Sequence, residues 1–368
     1  MKEKFLENKL AERKAQHAFR QLKLTEGCVD FCSNDYLGYA RREWPVSGIT
    51  HGSTGSRLLS GNSAKAVSLE QQLAAFHGSE ASLLFNSGYD ANLALLSAVA
   101  GRNDLIVYDQ LSHASIRDGI RLGQARAFSF RHNDLADLEK KLETGAGENR
   151  FVVTESVFSM DGHLAPLHDI AAICERYQAH LIVDEAHALG ILGEKGEGLS
   201  QSLGLASRCL ARVYTFGKAA GAHGAVITGS ALLKDFLVNF ARPLIYSTAL
   251  PPAALEAIGH AYASFPGSTA EREKLRQLIA NFRATDLPFE RLDSTTPIQG
   301  VIIPGNKEVK QVAGVLHDSG FDVRPILSPT VPQGSERLRI VLHAFNTTAE
   351  LQGLVGLLSG LRKQAEHD

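Results

Sequence analysis

Residues 212–230, RVYTFGKAAGAHGAVITGS, hold the pattern from which the fold can be read. Two short β-rich runs, RVYTF (212–216) and GAVITG (224–229), flank a linker of glycine and alanine, and Lys218 stands in that linker with no carboxylate near it in sequence. Runs that are apolar at consecutive positions are strands buried on both faces. Five more lie upstream: SLLF (82–85), LIVY (105–108), RAFSF (126–130), FVVT (151–154) and HLIVD (180–184). Between them come stretches at helical spacing, LEQQLAAFHG (69–78), ANLALLSAVAG (91–101), LADLEKKLETG (135–145) and LHDIAAICERYQA (167–179). Seven buried strands separated by helices predict an α/β doubly wound architecture, a mainly parallel sheet covered by helices.

The texture changes on both sides of this block. The first residues repeat Phe5, Leu6, Leu10, Ala15, Phe19 and Leu22 at helical spacing among charges, which predicts a docked amphipathic N-terminal helix within an arm of residues 1–37. A large α/β domain is expected over 38–263. A smaller C-terminal α+β domain is expected over 264–368, with strands in PIQGVIIPG and RLRIVLH and a last helix in TAELQGLVGLLSGLRKQ.

The 368 residues hold 38 basic and 40 acidic side chains with no long like-charge run, which argues against nucleic acid or a membrane surface as partner. The N-terminus lacks the apolar core of a signal peptide, and no run reaches the roughly 18 apolar residues of a membrane span. Cys28, Cys32, Cys174 and Cys209 form no CxxC pair, which suits reduced thiols in a cytoplasmic protein and no metal site.

In parallel sheets the chemistry gathers beyond the carboxyl ends of the strands. Asp184 ends HLIVD, His113 follows LIVY, Ser159 follows FVVT, and Thr215 and Lys218 close RVYTF. Gly88 and Tyr89, in FNSGYDAN, fall between a strand and a helix, where main-chain N–H groups and the helix dipole can hold an anion. Taken singly, an Asp ending a strand is a helix cap and a His there is a surface residue. Together, a phosphate cradle, a carboxylate and an amine match the demands of pyridoxal phosphate. The lysine bonds the aldehyde, the aspartate keeps the pyridine nitrogen protonated, and an apolar surrounding favours the uncharged, nucleophilic amine.

VDEAH (183–187) also matches the acidic box of nucleotide-driven helicases. A P-loop requires GxxxxGK[ST], but Ala219 follows Gly217-Lys218 and Arg212 occupies the place of the first glycine, so that reading fails.

FCSNDYLG, GSTGSRLLSGN, NSGYDAN, LSHASIRDG, FRHNDL, TESVFSMDGHLAPL, VDEAHALGILGEKGEG, TFGKAAGAHGA, YSTALPP and PTVPQG with RLR occur in the order of the α-oxoamine synthases, and nearly the whole chain resembles that family of fold-type I pyridoxal-phosphate enzymes. The resemblance implies that Lys218 carries the cofactor, Asp184 pairs with the ring nitrogen, His187 hydrogen-bonds the ring hydroxyl and His113 stacks on the ring. It places Gly88, Tyr89, Ser159 and Thr215 around the cofactor. It makes Arg20, Asn34 and Thr330 substrate contacts and Arg339 the grip on the amino acid's carboxylate. The wording is most similar to the branch that joins L-alanine to a pimeloyl thioester, on coenzyme A or acyl carrier protein, with loss of carbon dioxide, in biotin biosynthesis. Glycine C-acetyltransferase, 5-aminolevulinate synthase and serine palmitoyltransferase share the chemistry. A homodimer with shared active sites is also implied, HGSTGS and YSTALPP resembling segments that reach a neighbour's site. Two departures stand out. VRPILSPTVP replaces the family's IRPPTVP, so the arginine beside the acyl chain is either replaced by Leu327 or displaced to Arg324, and the segment 39–51 is short.

Overall fold

A computed structural model describes residues 3–22, 24, 26–44 and 50–365, and the chain divides into two compact units. Unit 2, residues 37–159 and 164–272, holds a seven-stranded sheet. Its strands are β1 (Ala81–Phe85), β2 (Leu105–Asp109), β3 (Arg126–Phe130), β4 (Arg150–Glu155), β5 (Ala179–Asp184), β6 (Cys209–Thr215) and β7 (Ala225–Gly229). They lie in the order β1-β7-β6-β5-β4-β2-β3, and β7 alone runs antiparallel to its neighbours β1 and β6. All seven expected strands are present.

The period-two geometry of a strand explains why these runs read as continuously apolar. Ile106, Phe151, Val153, Ile182, Ala211 and Val213 enter one buried cluster, with helix Gly88–Val99. Their immediate neighbours Leu105, Val107, Val152, Leu181 and Val183 enter another, with helix Leu167–Arg176. Each face of the sheet therefore has its own core. Because both faces are apolar, it is the polar strand end that fixes the register of β5: a one-residue slip would move Asp184 off the crevice.

Unit 1, residues 1–36, 160–163 and 273–368, contains an antiparallel sheet of β8 (Ile298–Ile302), β9 (Arg324–Ile326) and β10 (Arg337–Val341), in the order β9-β10-β8. Val29–Asp30 pairs in parallel with Phe321–Asp322. Helix Asn306–Asp318 and the last helix, Thr348–Ala365, belong to the same unit.

The expectation for the N-terminus is corrected. A helix forms over Lys4–Ala15 but buries none of its residues, and Phe5, Leu6 and Leu10 are exposed. Phe19 and Leu22 lie beyond its end, because the chain leaves helical geometry at His17, whose φ is +52°. Of the short segment 39–51, residues 45–49 fall outside the described residues.

Candidate active site

Four parallel strands of unit 2 end in polar side chains at one edge of the sheet: Asp109 on β2, Glu155 on β4, Asp184 on β5 and Thr215 on β6. Lys218 lies in the loop between β6 and β7, which is drawn closed by Phe216 N–H donating to Gly224 O (2.9 Å) and Ala222 N–H donating to Phe216 O (2.9 Å). Gly221 closes the inner turn onto Lys218 O with a φ of +58°, and a Cβ there would lie 2.2 Å from Ala40 N, so only glycine fits. The half-buried Lys218 places Nζ 2.9 Å from His187 Nε2, and the buried His187 sits three residues past the end of β5.

The buried Asp184 receives two donors: Ala186 N–H on Oδ1 (2.9 Å) and Asn92 Nδ2 on Oδ2 (2.8 Å). Asn92, itself buried, spends its other amide hydrogen on Ser115 Oγ (3.0 Å). Ser115 Oγ stands 2.8 Å from His113 Nδ1, which also accepts from Ser115 N–H at 3.2 Å. A single direction of donation satisfies this chain: Asn92 gives to Ser115, Ser115 gives to Nδ1, and the imidazole carries its proton on Nε2. Burial holds His113 below the ordinary imidazole range; the charge of Asp184 opposes that effect and the charge of Lys218 reinforces it. The ring is neutral near pH 7. His113 also caps helix Ala114–Leu122, and its main-chain N–H donates to Glu155 Oε1 (2.6 Å).

Gly88 opens helix Gly88–Val99, whose cap, Ser87, accepts from Asp90 N–H (3.0 Å). The first N–H groups of a helix have no partner within it and point outward, toward any anion placed there. A Cβ on Gly88 would come 3.2 Å from both Cβ and Oγ1 of Thr215, so the missing side chain is what lets the helix start close on the end of β6. Tyr89, partly exposed, donates its hydroxyl to Asp118, and Ser159 is buried just beyond β4. An amine, a two-donor carboxylate and a glycine-built anion cradle are the donor set of pyridoxal phosphate, and these residues fit it.

The four expected substrate contacts fall in unit 1, where the structure joins them in two pairs. Arg339 on β10 donates to Asn34 Oδ1 (2.9 Å), and Arg20 donates to Thr330 Oγ1 (3.3 Å). Beside the first pair, burial pushes the Tyr36 hydroxyl up to about 12, and its O–H also donates to Asn34 Oδ1 (3.3 Å). The second pair lines a cavity of about 740 Å³ together with both Arg324 and Leu327. Arg324 faces Asp322 (3.2 Å) and Cys32 Sγ (3.3 Å), and Leu327 contributes an apolar wall.

A family profile described as aminotransferase class I and II matches residues 26–358. An 8-amino-7-oxononanoate synthase from Methylococcus capsulatus is 41% identical over 95% of this chain and 96% of its own. Another from Alkalilimnicola ehrlichii is 39% identical over 96% and 97%. The chain belongs to the α-oxoamine synthase family. Among solved structures, Sphingomonas wittichii serine palmitoyltransferase superposes with a TM-score of 0.90 at 27% identity, covering 98% of each chain. The 8-amino-7-oxononanoate synthase of Francisella tularensis gives 0.78 at 29%, covering 93% of this chain and 99% of its own. Pyridoxal phosphate is the cofactor of this α-oxoamine synthase, and its fold is that of the type I transferases.

Three residues of the synthase's crevice escape a reading by motif role: Asn92, Ser115 and Glu155. All three lie inside quoted motifs, NSGYDAN, LSHASIRDG and TESVFSMDG. Their partners are 92, 23 and 42 residues away, and no local spacing reports such pairs. Among the described residues no group of His, Cys, Asp and Glu is arranged to hold a metal ion, and no helix is long and apolar enough to cross a membrane.

Proposed function

We propose that this protein is an 8-amino-7-oxononanoate synthase, condensing L-alanine with a pimeloyl thioester on coenzyme A or acyl carrier protein. The carrying observation is Lys218 Nζ 2.9 Å from His187 Nε2 at the sheet edge where Asp184 ends the neighbouring strand. The identity of 39–41% to curated 8-amino-7-oxononanoate synthases supports alanine and pimeloyl as substrates. The higher backbone likeness to serine palmitoyltransferase supports the shared chemistry, because the amino acid is selected by a few side-chain atoms that a backbone superposition does not weigh.

When bound, pyridoxal phosphate supplies an electron sink for negative charge at the amino acid's α-carbon. Lys218 would hold the cofactor's aldehyde through Nζ, and the same atom, as a free amine, would take the substrate's α-proton. Asp184, fixed by Asn92 and Ala186, keeps its charge against the ring nitrogen, and His187 holds the ring hydroxyl. His113, with its proton on Nε2, would stack on the ring. Gly88, Tyr89, Ser159 and Thr215 complete the cofactor's seat. Arg339, held flat by Asn34, grips the carboxylate in a bidentate fork, while Arg20 and Thr330 contact the acyl partner. The α-carbon bonds the acyl carbon as the C–S bond breaks. The thiol leaves with a proton, the substrate carboxylate departs as carbon dioxide, and the α-carbon takes up a proton in its place.

The protein also acts as a cytoplasmic homodimer. GSTGS and YSTALPP lie together, with Ser56 bridging Thr248 and Ala249 N–H donating to Gly55 O (3.0 Å), which supports their serving as one shared edge. Lys218→Ala removes the visible absorption of lysine-bound cofactor along with turnover; a borohydride-sensitive chromophore surviving the change refutes the lysine assignment. Glycine, alanine and serine are offered in turn with a panel of acyl thioesters, following thiol and carbon dioxide release. Turnover with glycine and acetyl thioester but not with alanine and pimeloyl thioester overturns the substrate reading.

A further inference from the structure

Glu155 is a buried carboxyl of the crevice to which the mechanism above gives no task, as is Asp109 at the end of β2. Glu155 ends β4, is 3% exposed, and is the register partner of Asp184 on β5, so two buried carboxyls stand side by side on neighbouring parallel strands. The groups bearing on it are Asp184, Lys218 and Asp109 by charge and the His113 main chain by hydrogen bond. Two like charges side by side in a low-dielectric site each oppose the other's ionisation. Asp184 has two N–H donors to support its charge. Glu155 accepts from His113 N–H (2.6 Å). Burial, followed by the charge of Asp184, drives the Glu155 carboxyl well above the usual range.

We propose that Glu155 is a positioning residue whose Oε1 pins the main chain of His113 while Ser115 pins its ring, so that the imidazole is presented to the cofactor in one orientation. Two holds from different strands and helices fix both the origin and the rotation of the ring: β4 supplies the first, and the Asn92–Ser115 chain the second. An acceptor oxygen alone fulfils this task, and a neutral amide can supply it as well as a carboxyl. This inference rests on the assignment of His113 to the cofactor's face.

The test compares Glu155→Gln with Glu155→Ala in full-length protein. Its readouts are amide exchange over residues 109–118 and the dissociation constant of pyridoxal phosphate, with the circular dichroism of the bound cofactor alongside. Glutamine keeps the acceptor oxygen, so exchange, dichroism and affinity stay within about two-fold of the parent; alanine removes it, exchange at His113 accelerates, and affinity falls roughly 2- to 10-fold, the worth of one net hydrogen bond. Should the alanine variant not fold, Glu155→Met makes the same comparison with the volume filled. Unchanged exchange and affinity in the variant lacking an acceptor overturn the positioning role, and a glutamine variant as impaired as alanine overturns the reading that an acceptor oxygen is what Glu155 supplies. None of these readouts needs alanine or an acyl thioester, so they stand or fall apart from the condensation reading.

Discussion

Asn92→Asp exchanges one atom in the crevice and reverses the sense of a hydrogen bond. In the parent, Nδ2 donates to Asp184 Oδ2 at 2.8 Å and to Ser115 Oγ at 3.0 Å, with both Asn92 and Asp184 buried. After the substitution a second carboxylate oxygen faces Asp184 at hydrogen-bond distance, and the pair can persist only by sharing a proton. Asp184 then loses the undivided charge that the pyridine nitrogen needs. Even the milder Asn92→Ala deletes a bond to a charged group, worth about 1.5–3 kcal/mol, which corresponds to roughly 10- to 150-fold. We expect a loss in that range in cofactor affinity and in kcat/KM for Asn92→Ala, and a larger loss for Asn92→Asp although its shape is unchanged. Fluorescence titration of the apoprotein with pyridoxal phosphate gives the first quantity and thiol release gives the second. If Asn92→Asp binds the cofactor within two-fold of the parent, the account of how Asp184 is held is wrong.

Three further outcomes follow from the packing. In unit 1, Arg337 and Asp161 form a buried ion pair, so Asp161→Ala strands a cation and costs about 3–5 kcal/mol in denaturant unfolding, whereas Asp161→Leu with Arg337→Met recovers most of the loss; equal effects of the single and the double change would contradict this. His77 is fully buried, stacked 3.7 Å from Tyr214, and held well below the ordinary imidazole range by burial and then by Arg212. The unfolded chain therefore binds a proton below about pH 6.5 that the folded chain refuses, so stability falls with pH by up to about 1.4 kcal/mol per unit from this group, and the slope is shallower in His77→Gln. Burial pushes the Cys174 thiol up to about 12, so a thiol-alkylating reagent leaves it unmodified at pH 8 in native protein and labels it after denaturation, as mass spectrometry reads directly.

Six of the seven strands were legible because they are mostly apolar on both faces, a signal that needs no partner to be recognised, whereas the edge strand β3, expected to be buried, is largely exposed. The N-terminal segment shows the opposite case. Phe5, Leu6 and Leu10 are apolar at helical spacing and a helix does form, yet spacing names no surface to cover them, and in this chain none of the helix's residues is buried. Helices Ala114–Leu122 and Ala231–Phe240 are absent from the pattern reading, their caps His113 and Ser230 being a histidine with few precedents and a serine inside a glycine-rich stretch. Lys218, Asp184, His113 and Gly88 could be named because the end of a parallel strand is a place that sequence can locate. Asn92, Ser115 and Glu155 could not be given tasks, because what they do is defined by atoms on other strands and helices.

The reversed strand β7 gives Lys218 a fixed address. It is joined to β6 through Thr215 paired with Ala225 and to β1 through Phe85 paired with the same residue. Both ends of the lysine loop are thereby clamped into a register counted in whole residues. One residue inserted between Phe216 and Gly224 would have to be absorbed by a loop already closed by three backbone hydrogen bonds, or else turn β7 over and take Ala225 and Ile227 out of the core they help to form. The backbone under the amine is thus a stationary pivot, and the travel between cofactor and substrate proton must come from rotation about the bonds of one side chain.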